Sequence, residues 1–171
     1  MAQISLFRNI VEDFRVFARG PGLRSTLITL TLFVGFRATF LVRIQNWLYA
    51  KGRIWLSYQI HALNYSVYGI DVLPGCSIGP GLRLEHPAGV VIGSGVSIGR
   101  NCTIQSGVVL GSRSSNPLLN DYPCIGDYVL IGTKASILGA VTVGNHCKIG
   151  AHALVIKNLP PKTVVHGFTC K

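Results

Sequence analysis

Apolar positions recur every six residues from Ile125 onward: Ile125, Ile131, Ile137, Val143, Ile149 and Val155. Glycine follows most of them, at Gly126, Gly132, Gly144 and Gly150. Two places before the column stand small or β-branched residues: Val129, Ala135, Val141, Cys147 and Ala153. A helix repeats every 3.6 residues and a strand every 2, so neither yields a period of six directly. The period fits a solenoid with flat sides, each carrying one short strand and one turn. The aliphatic column fills a narrow core, the small residue packs beside it, and glycine relaxes the corner. Hexads of this kind predict a parallel β-helix.

The column continues upstream through Ile92, Ile98, Ile104 and Leu110, and before that through Ile78, Leu84 and Val90. These two runs are out of phase by two residues, between Val90 and Ile92. Leu110 and Ile125 are not a multiple of six apart, so a loop over residues 111–124 must leave the solenoid. An ordinary parallel sheet with helical crossovers has little room, because no segment of about 10 to 15 residues with helical period lies between the strands.

Residues 4–18 predict an amphipathic helix, with Leu6, Ile10, Val11, Phe14 and Phe17 on one face and Arg8, Glu12, Asp13 and Arg15 mostly opposite. Gly20-Pro21-Gly22 ends it. Residues 24–51 are more apolar, but only 25–36 lack charge, short of the roughly 20 residues a membrane span needs. We read this stretch as a buried helix packed on the solenoid or on a neighbouring subunit. The alternative is a cap lying on a membrane surface, with Trp47, Tyr49, Lys51, Arg53 and Trp55 at the interface. Residues 53–68 predict one more helix, with Ile54, Leu56, Tyr58, Ile60 and Leu63 partly buried. The expected organisation is a helical region over 1–68, a β-helix over 69–158 and a tail over 159–171 that lies back along one side.

Composition narrows the function classes. At 171 residues and 13% charged, the chain suits one folded domain and not a disordered one. The net charge is +10, and residues 1–70 hold eight Lys/Arg against Glu12 and Asp13. Such a surplus suits an anionic ligand or lipid; no nucleic-acid motif accompanies it. Five cysteines with no C-x-x-C pairing argue against a disulfide framework and for a reducing, cytoplasmic setting. Cys102 and Cys147 fall in the small-residue column as core fillers. No His/Cys/Asp spacing suits a closed metal site.

A solenoid has little interior space, so an active site must lie outside, in a groove or between subunits. The loop is the one large excursion, and its Leu118 and Leu119 call for a partner. Of the five histidines, His86 stands at the phase break, in Leu84-Glu85-His86-Pro87-Ala88-Gly89. Asp71 precedes it by 15 residues, a little under one coil, which places a carboxylate within reach of the imidazole from the coil below. A carboxylate on one ring nitrogen fixes the tautomer and leaves the other nitrogen to take a proton. His146 and His152 read as surface residues, His61 as part of a helix face, and His166 as a tail residue near a ligand.

These residues resemble bacterial serine O-acetyltransferases. The runs Gly69-Ile70-Asp71-Val72-Leu73-Pro74, Ile78-Gly79-Pro80-Gly81, Leu84-Glu85-His86-Pro87-Ala88-Gly89, Lys134-Ala135-Ser136-Ile137-Leu138-Gly139 and Leu159-Pro160-Pro161 carry the resemblance. So does Glu12-Asp13-Phe14-Arg15 in the helical region. The resemblance implies a left-handed parallel β-helix, a homotrimer, and acetyl-CoA held between neighbouring solenoids. It implies His86 as the base and Asp71 as its partner. Gly111 is expected near the oxyanion, and Gly132, Ala135 and Gly150 along the acetyl-CoA groove. Lys134, Lys148, Lys157 and Lys162 are candidates for the CoA phosphates.

Three departures bear on the acceptor. Glu85 stands where the family has Asp, Asp121-Tyr122 where it has Arg-His, and Gly20-Pro21 where it has Asp-Pro. A site that loses such polar contacts loses discrimination. Glu85, Asp121 and Tyr122 are therefore expected to line an altered acceptor pocket, with Tyr122 stacked on a sugar ring or hydrogen-bonded through a hydroxyl. The expectation is O-acetylation of a sugar or envelope polysaccharide precursor, with peripheral contact to the inner membrane surface. The alternatives are serine O-acetylation and a non-catalytic scaffold on the same solenoid.

Overall fold

The computed structural model describes residues 6–18, 20, 22–114, 116 and 121–167. Among the described residues four helices precede the solenoid: α1 Leu6–Phe17, α2 Leu23–Leu32, α3 Val34–Ala50 and α4 Ile54–Tyr68. Short parallel strands then build a three-sided prism. The first side stacks β1 Asp71–Val72, β4 Val91–Ile92, β7 Val109–Gly111, β10 Ser136–Leu138 and β13 Leu154–Val155. The second stacks β2 Ser77–Ile78, β5 Ser97–Ile98, β8 Cys124–Ile125 and β11 Thr142–Val143. The third stacks β3 Arg83–Glu85, β6 Thr103–Gln105, β9 Leu130–Ile131, β12 Lys148–Ile149 and β14 Val164–Val165. The whole is a left-handed parallel β-helix behind a helical region.

The hexad column is the core. Val72, Leu84, Ile92, Ile104, Leu110, Ile131, Ile137, Val143 and Ile149 are all buried. Each such side chain contributes about 1.5–3 kcal/mol when removed from water. The phase break is a longer corner. Asp71 pairs with Val91, 20 residues on, whereas Val91 pairs with Val109, 18 residues on. The two extra residues sit between β3 and β4, and Val90 thereby takes the place of the small residue beside Ile92. The coil also runs past residue 158: Leu159 bridges Val143, and β14 pairs in parallel with β12. The segment read as a tail is thus partly another coil, because Val164 and Val165 supply the apolar pair that a further strand needs.

The helices differ from their predicted forms in instructive ways. The apolar stretch 24–51 is broken at Phe33, where α2 and α3 meet at 73°. Among the described residues no single helix is long and apolar enough to cross a membrane. Asp13, expected on the polar face of α1, is 1% exposed. Arg43 Nε donates to its Oδ2 at 2.7 Å, and the amides of Gly81 and Leu82 donate to its Oδ1 at 2.9 Å each. Arg43 also donates to the Ile78 and Gly79 carbonyls. This network ties α1 and α3 to the first coil. On α4, Ile54, Leu56, Tyr58 and Leu63 are exposed, and the packed stripe is Ser57, His61, Asn64 and Tyr68. Ser57 donates to the Gln45 carbonyl and Asn64 to the Ala38 carbonyl. Hydrophobicity misplaces this face because polar side chains that bond to α3 carbonyls form part of the α3–α4 contact.

Candidate active site

His86 stands in the lengthened corner between β3 and β4. It is exposed and holds φ at 51°, in the left-handed region that a non-glycine residue enters at a cost. Pro87 behind it is buried, and the Val90 amide donates to the Pro87 carbonyl at 3.1 Å. The Gly89 amide donates to the Gly69 carbonyl at 2.7 Å, which sets the His86 corner against the segment that leads into Asp71. His86 and Asp71 therefore lie on adjoining coils.

Asp71 has a partner that the sequence reading did not assign. His61 Nε2, on α4, lies 2.9 Å from Asp71 Oδ1. Among the described residues no hydrogen bond reaches Asp71 Oδ2, and none joins Asp71 to His86. His61 had a findable signal: it falls at the helical spacing of Ser57, Asn64 and Tyr68, ten residues before an acidic residue at the first strand.

The expected acceptor-pocket residues are used inside the fold. Glu85 Oε1 pairs with Arg83 Nε at 2.9 Å, and its Oε2 accepts from Gln105 Nε2 at 3.2 Å. Gln105 in turn accepts from the Thr133 amide at 3.1 Å, so a polar ladder runs along this corner. Asp121 closes the ends of the loop. Its carboxylate accepts from the Ala140 amide at 2.6 Å, the Arg113 amide at 2.9 Å and the Ser114 amide at 3.2 Å. These backbone donors, Ala140 first, hold its carboxyl below the usual carboxylate range. The Tyr122 ring lies over Gly93 and Gly95, so closely that a Cβ at either glycine would overlap it. It is partly buried and packs against the core. Leu118 and Leu119 lie outside the described residues.

The expected donor-binding residues are spread out. Lys134 follows β9 and precedes β10, on the His86 corner, where its stem covers Gly107. Lys157 follows β13, and Lys162 lies between Leu159 and β14, so these two occupy the other two corners. Lys148 lies within β12 on the third side. One chain does not gather the four. Ala135 is fully buried and faces the core. Gly132 and Gly150 are glycines because the next coil's backbone passes where a Cβ would stand. Gly111 ends β7 at the root of the loop, paired with Leu138. His146 stacks on Tyr128 at 4.9 Å with parallel rings, and His152 and His166 are exposed.

Comparison with known proteins gives one consistent picture. Residues 125–157 match the family described as bacterial transferase hexapeptide (six repeats). A serine acetyltransferase of Buchnera aphidicola (from Schizaphis graminum) is 36% identical over 169 residues, covering 98% of this chain and 65% of that protein. One from Staphylococcus epidermidis is 37% identical, covering 95% of this chain and 76% of the relative. The crystal structure of the Neisseria gonorrhoeae serine acetyltransferase superimposes with a TM-score of 0.88 at 34% identity, covering 99% of this chain and 66% of that one. The same enzyme solved in complex with serine gives 0.85 at 36% identity, covering 97% and 68%. The chain thus spans under two thirds of the Buchnera protein's length. These likenesses overturn the expectation of a sugar or polysaccharide acceptor. The substitutions on which it rested, at Glu85, Asp121 and Tyr122, bind within the fold itself.

Proposed function

The chain belongs to the serine acetyltransferase family, and we propose that it moves the acetyl group of acetyl-CoA to the hydroxyl of L-serine. The observation that carries this reading is a likeness running along nearly the whole chain, helices included. In the proposed reaction His86 takes the proton of the serine Oγ as that oxygen attacks the thioester carbonyl. The new C–O bond forms, the C–S bond breaks, and the departing CoA sulfur receives the proton from His86. Asp71 orients the imidazole and favours its protonated form. Backbone N–H groups on the coil facing His86, or near Gly111 of a neighbouring copy, hold the oxyanion of the tetrahedral intermediate. Lys134, two coils along the corner from His86 and so about 10 Å away at the usual strand spacing, meets the donor's phosphates.

The proposed site is shared between copies. His86 lies on the corner between the third and first sides, and the loop closed by Asp121 leaves the corner between the first and second. Solenoids packed side by side in a homotrimer set one such corner against another. This arrangement supports a donor groove lined from two chains, with Lys157 or Lys162 supplied by the neighbour.

Steady-state release of free thiol from acetyl-CoA tests the reading. It requires turnover that rises and saturates with L-serine. Thiol release that ignores L-serine at millimolar concentration rejects it.

A further inference from the structure

Asp71, on the His86 side of the first coil, carries a carboxylate that another imidazole already holds. His61 and Asp71 meet at 2.9 Å across the junction between α4 and β1. The junction is built for it. Gly69 caps α4 in the left-handed conformation at φ 64°, so the chain turns sharply and β1 starts beside the helix. His61 is mostly enclosed, with 17% of its side chain exposed, while Asp71 keeps 39%. The His61 ring also packs edge-on against Tyr58 at 6.2 Å. An ionised carboxylate only accepts hydrogen bonds, so the His61 Nε2 must carry the hydrogen. One carboxylate oxygen is thereby fixed to a rigid helix, and Oδ2 remains for a second donor.

We propose that His61 is a positioning residue: its Nε2–H pins Asp71 Oδ1, so that Oδ2 is presented to the imidazole of His86. The exposed base would otherwise rely on a carboxylate free to rotate about χ2. A packed helix removes that freedom before substrate arrives, and a small misplacement in such a constellation slows chemistry by up to about 100-fold. The kinetic part of this inference rests on the serine acetyltransferase reading; the hydrogen bond itself does not.

Two measurements on the full chain test it. In 15N-histidine-labelled protein at pH 8.5, two-bond nitrogen–proton correlations report each ring's tautomer without any acceptor or donor present. His61 is expected as the Nε2–H form, and an Nδ1–H form overturns the proposal. Kinetics with L-serine and acetyl-CoA then compare His61→Leu with His61→Gln, whose amide nitrogen reaches the same place as Nε2. Leucine should lower kcat about 10- to 100-fold with KM for acetyl-CoA within about twofold, and glutamine should recover kcat to within about threefold. A leucine variant that melts lower yet keeps wild-type kcat reduces His61 to a helix anchor and overturns the proposal. Wild-type protein without serine turnover rejects the acetyltransferase reading and the kinetic role with it, while the tautomer still decides the hydrogen bond.

Discussion

Arg43 and Asp13 form a bidentate ion pair across 30 residues of sequence, at 2.7 and 3.0 Å, with side chains 5% and 1% exposed. The pair also satisfies two amides and two carbonyls of the first coil, at Gly81, Leu82, Ile78 and Gly79. Removing one partner leaves a buried charge alone. Asp13→Ala or Arg43→Met should therefore lower the unfolding free energy by about 3–5 kcal/mol, measured by urea denaturation. The double variant Asp13→Leu/Arg43→Met should recover only part of that loss, because the four backbone groups stay unpaired. Full recovery would mean that the pair does not serve the coil's backbone.

Gly35 places the α3 backbone against β3. A Cβ there would overlap the Leu84 carbonyl oxygen, two residues before His86. Alanine is the better helix former by about 1 kcal/mol, so propensity alone predicts a more stable Gly35→Ala. The contact predicts the reverse, a loss of about 1–3 kcal/mol from overpacking. Serine turnover should fall with it as the His86 corner shifts. A thermal melt that moves upward for Gly35→Ala would contradict this packing.

How the sequence revealed the solenoid and hid the helical interface has one physical cause. Hexads repeat because each coil must place an aliphatic side chain in the same narrow core, so Ile125, Ile131 and Ile137 announce themselves. The two-residue slip before Ile92 announces the long corner at His86 in the same way. Asp13, Ser57, His61 and Asn64 follow the opposite logic. They are polar and packed, so a hydrophobic pattern assigns them to solvent and sends Leu56 and Leu63 inward instead. The partners of Asp121 and Tyr122 were hidden for another reason: they are backbone amides around Asp121 and bare glycines under Tyr122, which carry no side-chain pattern.

Asp121 makes the loop pH-sensitive in a defined direction. Its carboxyl is held low in the folded chain by the Ala140 and Arg113 amides. A depressed carboxylate contributes stability that is fully present above its unfolded value of about 3.9 and is lost as pH falls through the lower folded value. The Arg113 and Ala140 amide resonances should titrate together with a midpoint below about pH 3.9. A midpoint at or above the ordinary value would mean that the carboxylate does not close the loop.

The cysteines should separate by reactivity. Burial pushes the thiols of Cys76 and Cys102 up to about 11, and Cys147 is also enclosed, whereas Cys124 is exposed. Thiolate is the reactive species, so an alkylating reagent at pH 7.5 should label Cys124 well before these three, read by peptide mass mapping. Equal labelling of Cys76 or Cys102 in the folded protein would place them outside the core.

The central claim concerns where the acetyl group goes. Acetyl-CoA carrying a 13C-labelled acetyl group, incubated with L-serine and the wild-type chain, should give the NMR signal of an acetyl ester on serine. In His86→Ala the rate should fall by about 10²- to 10⁴-fold, the usual contribution of a general base, while the melting curve stays in place. Label that remains on CoA or appears only as free acetate in the wild-type reaction would contradict serine as the acceptor. Unchanged ester formation in His86→Ala would contradict His86 as the base.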